Sequence, residues 1–182
     1  MNNEYETDSM NRDDSNTTLD NDSVISTLNS LIETCKDGQL GFKEAAEGVE
    51  RSDLKSAFYE FSQQRAEFAG VLQGLVRSLG GEPEDDGSMS GAFHRSWIDI
   101  KSAVTGRDEE AILNECERGE DYAKGAYSDA LQENLPSNIK DVLSQQAQAV
   151  QAAHNRVKML RDAADAMDDN DNSRTASPGS SY

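Results

Sequence analysis

The sequence predicts an all-α fold, an antiparallel up-down-up-down four-helix bundle, and three observations carry that prediction. Apolar residues recur at alternating steps of three and four along four stretches, the period of one face of an α-helix. Glycine, proline and capping residues punctuate the gaps between those stretches. No segment shows the strict alternation of a half-buried strand.

The first helix is expected over 24–49, with Ser23 able to cap it. Val24, Leu28, Leu31, Cys35, Gly38, Phe42, Ala45 and Val49 form its stripe. A glycine inside a helix costs about 1 kcal/mol relative to alanine, so Gly38 points to a close approach by a neighbour. The second helix, 53–79, starts near Ser52 and carries Leu54, Phe58, Phe61, Arg65, Phe68, Leu72, Leu75 and Leu79. Gly80-Gly81-Glu82-Pro83 ends it, since glycine suits the residue past a helix and proline cannot continue one. So short a gap between the first two helices predicts antiparallel neighbours.

The third helix is expected over 90–133 and kinked. Phe93, Trp97, Ile100 and Val104 give a short face, Thr105-Gly106-Arg107-Asp108 breaks it, and Asp108 can cap the helical stretch beyond the break. The stripe resumes at Ile112, Cys116, Gly119, Ala123, Ala126 and Ala130. The loop before this helix, about ten residues, is short for a parallel crossover unless the Phe93–Val104 piece serves as part of it. That piece either extends the third helix or folds across one end. Pro136 suits the first position of a fourth helix, 136–164, with Ile139, Leu143, Gln146, Val150, Ala153, Val157 and Leu160 inward.

Only 35% of the 182 residues are hydrophobic, and the net charge is −18. Such values predict a compact middle, 23–164, between a disordered acidic tail at 1–22 and a disordered polar tail at 165–182. An acidic surface repels phosphates, which argues against nucleic acid and anionic membrane as partners. No run of about 18 apolar residues could span a bilayer. The opening MNNEYETDSMNRDD lacks the basic stretch and apolar core of a secretory signal. Cys35 and Cys116 have no CxxC spacing and fall on separate helices, which fits buried thiols in a reducing compartment. A cytoplasmic location is therefore expected. Leu40, Phe42 and Tyr59 on the first two helices offer a modest exposed patch for a homodimer.

Familiar nucleotide-binding and hydrolase patterns do not occur. There is no P-loop, dinucleotide fingerprint or Ser/His/Asp arrangement. Asp168-Asp169-Asn170-Asp171 lacks the glycine and closing glutamate of a calcium loop. Glu44, Glu47 and Glu50, at i, i+3 spacing beside Lys43 and Arg51, read as a solvated face.

The phrases LIETCKDGQLGFKEAAEGV (31–49), ERGEDYAKGAYSDAL (117–131) and AAHNRVKMLRDA (152–163) resemble an uncharacterised bacterial family of four-helix bundles, a domain of unknown function within the ferritin-like superfamily. The resemblance covers roughly 24–164. It implies a ferritin-like bundle, with stress tolerance as the family-level expectation. It also raises the question of a two-metal carboxylate centre like those with which members of that superfamily store iron, reduce peroxide or oxidise substrates.

Such a centre needs a glutamate from each of two helices and Glu-x-x-His from each of the other two, because i, i+3 spacing puts both ligands on one helix face. The fourth helix has Gln151-x-x-His154, with glutamine in the glutamate slot. The second has no histidine and carries Arg65 on its inward stripe. The other histidine, His94, precedes the break. Counting outward from the turns gathers Cys35, Gln39, Gln64, Arg65, Glu67, Glu117, Glu120, Gln151 and His154 at mid-bundle. Two readings fit this set. One is a reduced iron, manganese or zinc site on Glu120 and His154, assisted by Glu117 or Glu67. The other is a polar network without metal, in which Arg65 pairs with Glu117 or Glu120 and His154 bonds to a carboxylate. An arginine where a cation would sit favours the second. The corresponding functions are a non-enzymatic structural or interaction protein, or a metal-binding protein or oxidoreductase.

Overall fold

A computed structural model describes residues 19–84, 100–106 and 108–175. These residues are all-helical apart from their connections, and no strand occurs among them. Helix α1 spans Asn21–Gly48, α2 Ser52–Ser78, α3 Glu109–Gln132 and α4 Ser137–Thr175. Residues 100–106 add a short helical stretch between α2 and α3.

Local chemistry explains most of these limits. Asp20, not Ser23, caps α1: its carboxylate accepts from the Ser23 amide at 2.9 Å, starting the helix three residues earlier than the apolar stripe predicts. Asp108 caps α3 as expected, accepting from the Ala111 amide at 3.0 Å. Gly80 sits at φ 82 just past α2. There the Gly80 amide donates to the Arg77 carbonyl and the Gly81 amide to the Val76 carbonyl, both at 3.0 Å, the Schellman closure that a left-handed glycine permits. The expected end of the fourth helix at 164 is corrected, because α4 continues to Thr175. Extending an anchored helix needs no new nucleus, and Ala164, Ala166 and Met167 are strong helix formers. Residues 1–18 and 176–182, on which the rest of the tail expectation falls, lie outside the described residues, as do His94 and Trp97.

The four helices form a bundle in which α1 packs on α2 and α3, and α4 packs on α3 and touches α2. Side-chain partners set their directions. Between α1 and α2, Ile25 meets Gly81, while Ser62 Oγ donates to the Gln39 carbonyl at 2.8 Å. Between α1 and α3, Thr27 Oγ1 donates to Glu133 at 2.7 Å, Cys35 meets Tyr127, and Gly48 faces Ile112. In both pairs one number rises as the other falls, so α1 is antiparallel to α2 and to α3. Helices α2 and α3 therefore point the same way, and the up-down-up-down order is corrected to up-down-down-up.

The path from α2 to α3 makes this feasible. The Glu84 amide donates to Asn29 at 3.0 Å and Lys36 Nζ to the Glu84 carbonyl at 2.6 Å; further on, Ile100 lies over Gly41 and Val104 over Gly48. The two described ends of this crossover therefore lie against α1, one near Asn29 and Lys36 and the other near Gly41 and Gly48. Residues 100–106 belong to that crossover, and the expected single kinked helix over 90–133 is two segments divided before Asp108.

Two apolar clusters fill the ends. One joins Val24, Leu28, Leu31, Leu72, Val76, Ile139 and Leu143; the other joins Phe42, Ala45, Leu54, Phe58, Ile112, Val157 and Leu160. Phe42 is buried, at 4% exposure, against the rings of Phe58 and Phe61. The expected Leu40–Phe42–Tyr59 patch therefore loses one of its three members, because Phe42 lies on the core stripe of α1. Leu40 and Tyr59 remain exposed.

Candidate functional site

Polar side chains gather between the two apolar clusters. Arg65 on α2 and Glu120 on α3 are 1% and 2% exposed. Arg65 Nη2 donates to both oxygens of Glu120, at 2.6 and 2.7 Å, and Nη1 donates to Gln64 Oε1 at 2.6 Å. The guanidinium lies 6.0 Å from the centroid of Phe42 and 5.7 Å from that of Phe68. Gly38 explains how the long stem fits: a Cβ there would stand 3.3 Å from Arg65 Cγ. The close approach that Gly38 predicts is therefore to an arginine stem. Burial pushes the Glu120 carboxyl above its ordinary range, and the Arg65 charge and hydrogen bonds pull it back.

His154 on α4 lies beside this pair but bonds elsewhere. Its Nε2 is 3.0 Å from Asp121 Oδ1, and its Nδ1 is 3.3 Å from Asn155 Oδ1. Glu117 pairs with Arg161 of α4. Glu67 is exposed and accepts from Gln63 at 3.2 Å. The sequence places His154 level with Glu117, whereas the structure sets it against Asp121, about one turn away. Side chains lean toward the N-terminus of their own helix, so contacts between antiparallel helices shift in this sense relative to a count of Cα positions. No group of three or more His, Cys, Asp or Glu side chains stands ready to hold a metal ion among the described residues.

A second polar chain crosses the bundle about two turns along α3 from Glu120. Tyr127 Oη donates to Gln146 Oε1 at 2.7 Å, which uses its only proton, so the Cys35 thiol donates to Tyr127 Oη at 3.2 Å. Gln146 Nε2 then donates to the Phe68 carbonyl at 3.4 Å. This chain links all four helices. Burial pushes the Cys35 thiol up to about 11 and raises Cys116 and Tyr127 as well, so the thiols stay protonated and weakly nucleophilic near neutrality. Both cysteines are free and buried, as their helix-face positions predict.

Sequence reasoning missed Asp37, which is 4% exposed on α1. Its only signal is i, i+4 spacing to Gly41 beside Gly38, where small residues let neighbours close over the helix. Burial, with Glu33 adding repulsion, pushes its carboxyl up to about 7. Arg65, Glu115, Arg118 and Glu120 line the same cavity from α2 and α3. The unfolded chain releases this proton near 3.8, so the folded state holds it longer. The contribution is fully present below 3.8 and is lost as pH rises through about 7. Asp37→Asn is therefore expected to flatten the fall in stability between about pH 5 and 8. At the upper limit the variant should be more stable by about 1–2 kcal/mol, discounted for the solvent reaching the cavity. Urea denaturation at several pH values checks both.

No curated protein is significantly similar to this chain. A family model described as a domain of unknown function (DUF2383) matches residues 23–133, from the first turn of α1 to the end of α3, with α4 beyond the match. That match spans more than half of the sequence, and the chain belongs to this family.

Proposed function

We propose that this protein is a non-enzymatic helical bundle of ferritin-like architecture, acting as a structural or interaction protein, in which an ion pair occupies the level where ferritin-like relatives place their metal centre. The supporting observation is the bond from Arg65 Nη2 to both oxygens of Glu120. A metal on Glu120 would have to displace that bond and sit beside a buried cation, which is electrostatically unfavourable. His154 offers its Nε2 to Asp121 instead, and glutamine holds the neighbouring slot at position 151. The donor set therefore does not fit a two-metal carboxylate centre. The ferritin-like part of the proposal rests on the single long crossover between α2 and α3, the connection that distinguishes such bundles from simple up-and-down ones.

Elemental analysis of the purified protein and of His154→Ala tests the reading. Substoichiometric iron, manganese and zinc in both is expected. Stoichiometric metal in the wild type that disappears from the variant would sink the proposal.

A further inference from the structure

A cavity of about 220 Å³ opens between α1 and α3, away from the His154 side of the bundle. Phe42, Ile100, Cys116 and Ala123 make most of its wall apolar. It reaches the surface at Tyr122 and Arg118, which are both about half exposed. Two carboxylates enter it from opposite helices. Asp37 is 4% exposed and has no hydrogen-bond partner among the described residues. Glu115 pairs one oxygen with Arg118, while its Oε2 is buried without a partner.

From this arrangement we infer that the cavity is a binding site for a small organic cation, a primary ammonium group carrying an apolar tail. An unpaired buried carboxylate oxygen costs free energy that a donor can recover, and a cationic donor recovers most. The ammonium head meets Asp37 and Glu115, and the tail lies along Phe42 and Ile100. Anions are disfavoured because the two guanidiniums of the lining, Arg65 and Arg118, are already paired with Glu120 and Glu115, which leaves Asp37 as the excess charge. A neutral guest would bring no charge to set against Asp37 and could offer only the weaker neutral hydrogen bond. A bare metal ion is disfavoured because the third acid, Glu120, is held by Arg65, and no group of three His, Cys, Asp or Glu that could hold one occurs among the described residues. An apolar cavity of roughly 150 Å³ accepts benzene, so the space suits a guest of about five to nine heavy atoms. The raised Asp37 carboxyl fits the same picture, because it is a site for positive charge that a proton occupies by default.

The test is calorimetric titration of the full chain with butylammonium and benzylammonium chloride at pH 8. Butanol, butyrate and sodium chloride serve as matched controls. Saturable binding of the ammonium ions is expected, weakened about tenfold or more by Asp37→Asn and by Glu115→Gln, which each remove one charge partner. Glu60→Gln, an exposed change on α2 outside the cavity lining, should bind as the wild type does. Circular dichroism of each variant confirms folding, and Asp37→Asn is expected to be the more stable protein at this pH. No saturable binding up to about 10 mM overturns the inference, since affinity would then fall below any specific site. So does equal binding of butanol, or undiminished binding by both charge variants.

Discussion

Arg65→Ala should cost about 3–5 kcal/mol of folding stability, the largest loss expected from any polar substitution in the bundle. The reason lies in the carboxylate it would strand. Glu120 is 2% exposed and both its oxygens depend on Arg65 Nη2. Without the guanidinium, its charge stays buried without compensation, or the carboxyl takes up a proton and couples stability to pH. The double change Arg65→Met with Glu120→Leu should recover most of the loss, because well-packed apolar residues often match a buried ion pair. Urea midpoints of the three proteins check this. A loss below about 1 kcal/mol for Arg65→Ala would place the pair in solvent rather than in the core.

Phe58→Ala is expected to cost a similar amount, about 3–5 kcal/mol, through lost transfer energy and the cavity left in its place. Phe58 is fully buried in the cluster around the α1–α2 turn, its ring 6.0 Å from that of Phe42. Phe42 in turn faces the Arg65 guanidinium, so loosening this stack also admits water toward the ion pair. The adjacent Tyr59 makes a sharp control. It is 44% exposed, and Tyr59→Ala should stay within about 0.5 kcal/mol of the wild type. Thermal denaturation of the two variants side by side would expose any error in the rotational setting of α2.

That setting was only partly legible. The predicted stripe of α2 runs through Phe61, Phe68 and Leu75, yet the buried positions are Ser62, Ala69 and Val76, one residue on. A helix with two neighbours buries an arc wider than one stripe, so Ser62, Ala69 and Val76 join Leu54, Phe58, Arg65 and Leu72 on the inward face. The fourth helix shows the opposite case. Ile139, Leu143, Gln146, Val150, Ala153, Val157 and Leu160 are all buried as predicted. Its inward positions recur at strictly alternating steps of three and four, which marks one face of the helix.

The polar layer was legible as a set of residues and not as a set of bonds. Arg65 stands on the inward stripe of α2, so its burial and its need for an acid are readable from sequence. Choosing Glu120 over Glu117 is not, because the two lie on adjacent turns of α3 and only the register between helices separates them. Arg161 settles the matter by taking Glu117. Asp37 was invisible because its burial comes from α3 and the crossover stretch closing over α1, both remote in sequence.

By itself, the sequence determined the helical class, the inward faces of α1 and α4, the Asp108 cap and the glycine closure at Gly80. Each rests on interactions within a few residues, where period and capping chemistry decide. Only the tertiary structure decided the direction of α3, the pairing of Arg65 with Glu120 and the burial of Asp37. Each of those depends on where a distant helix lies, and contacts between residues remote in sequence decide that.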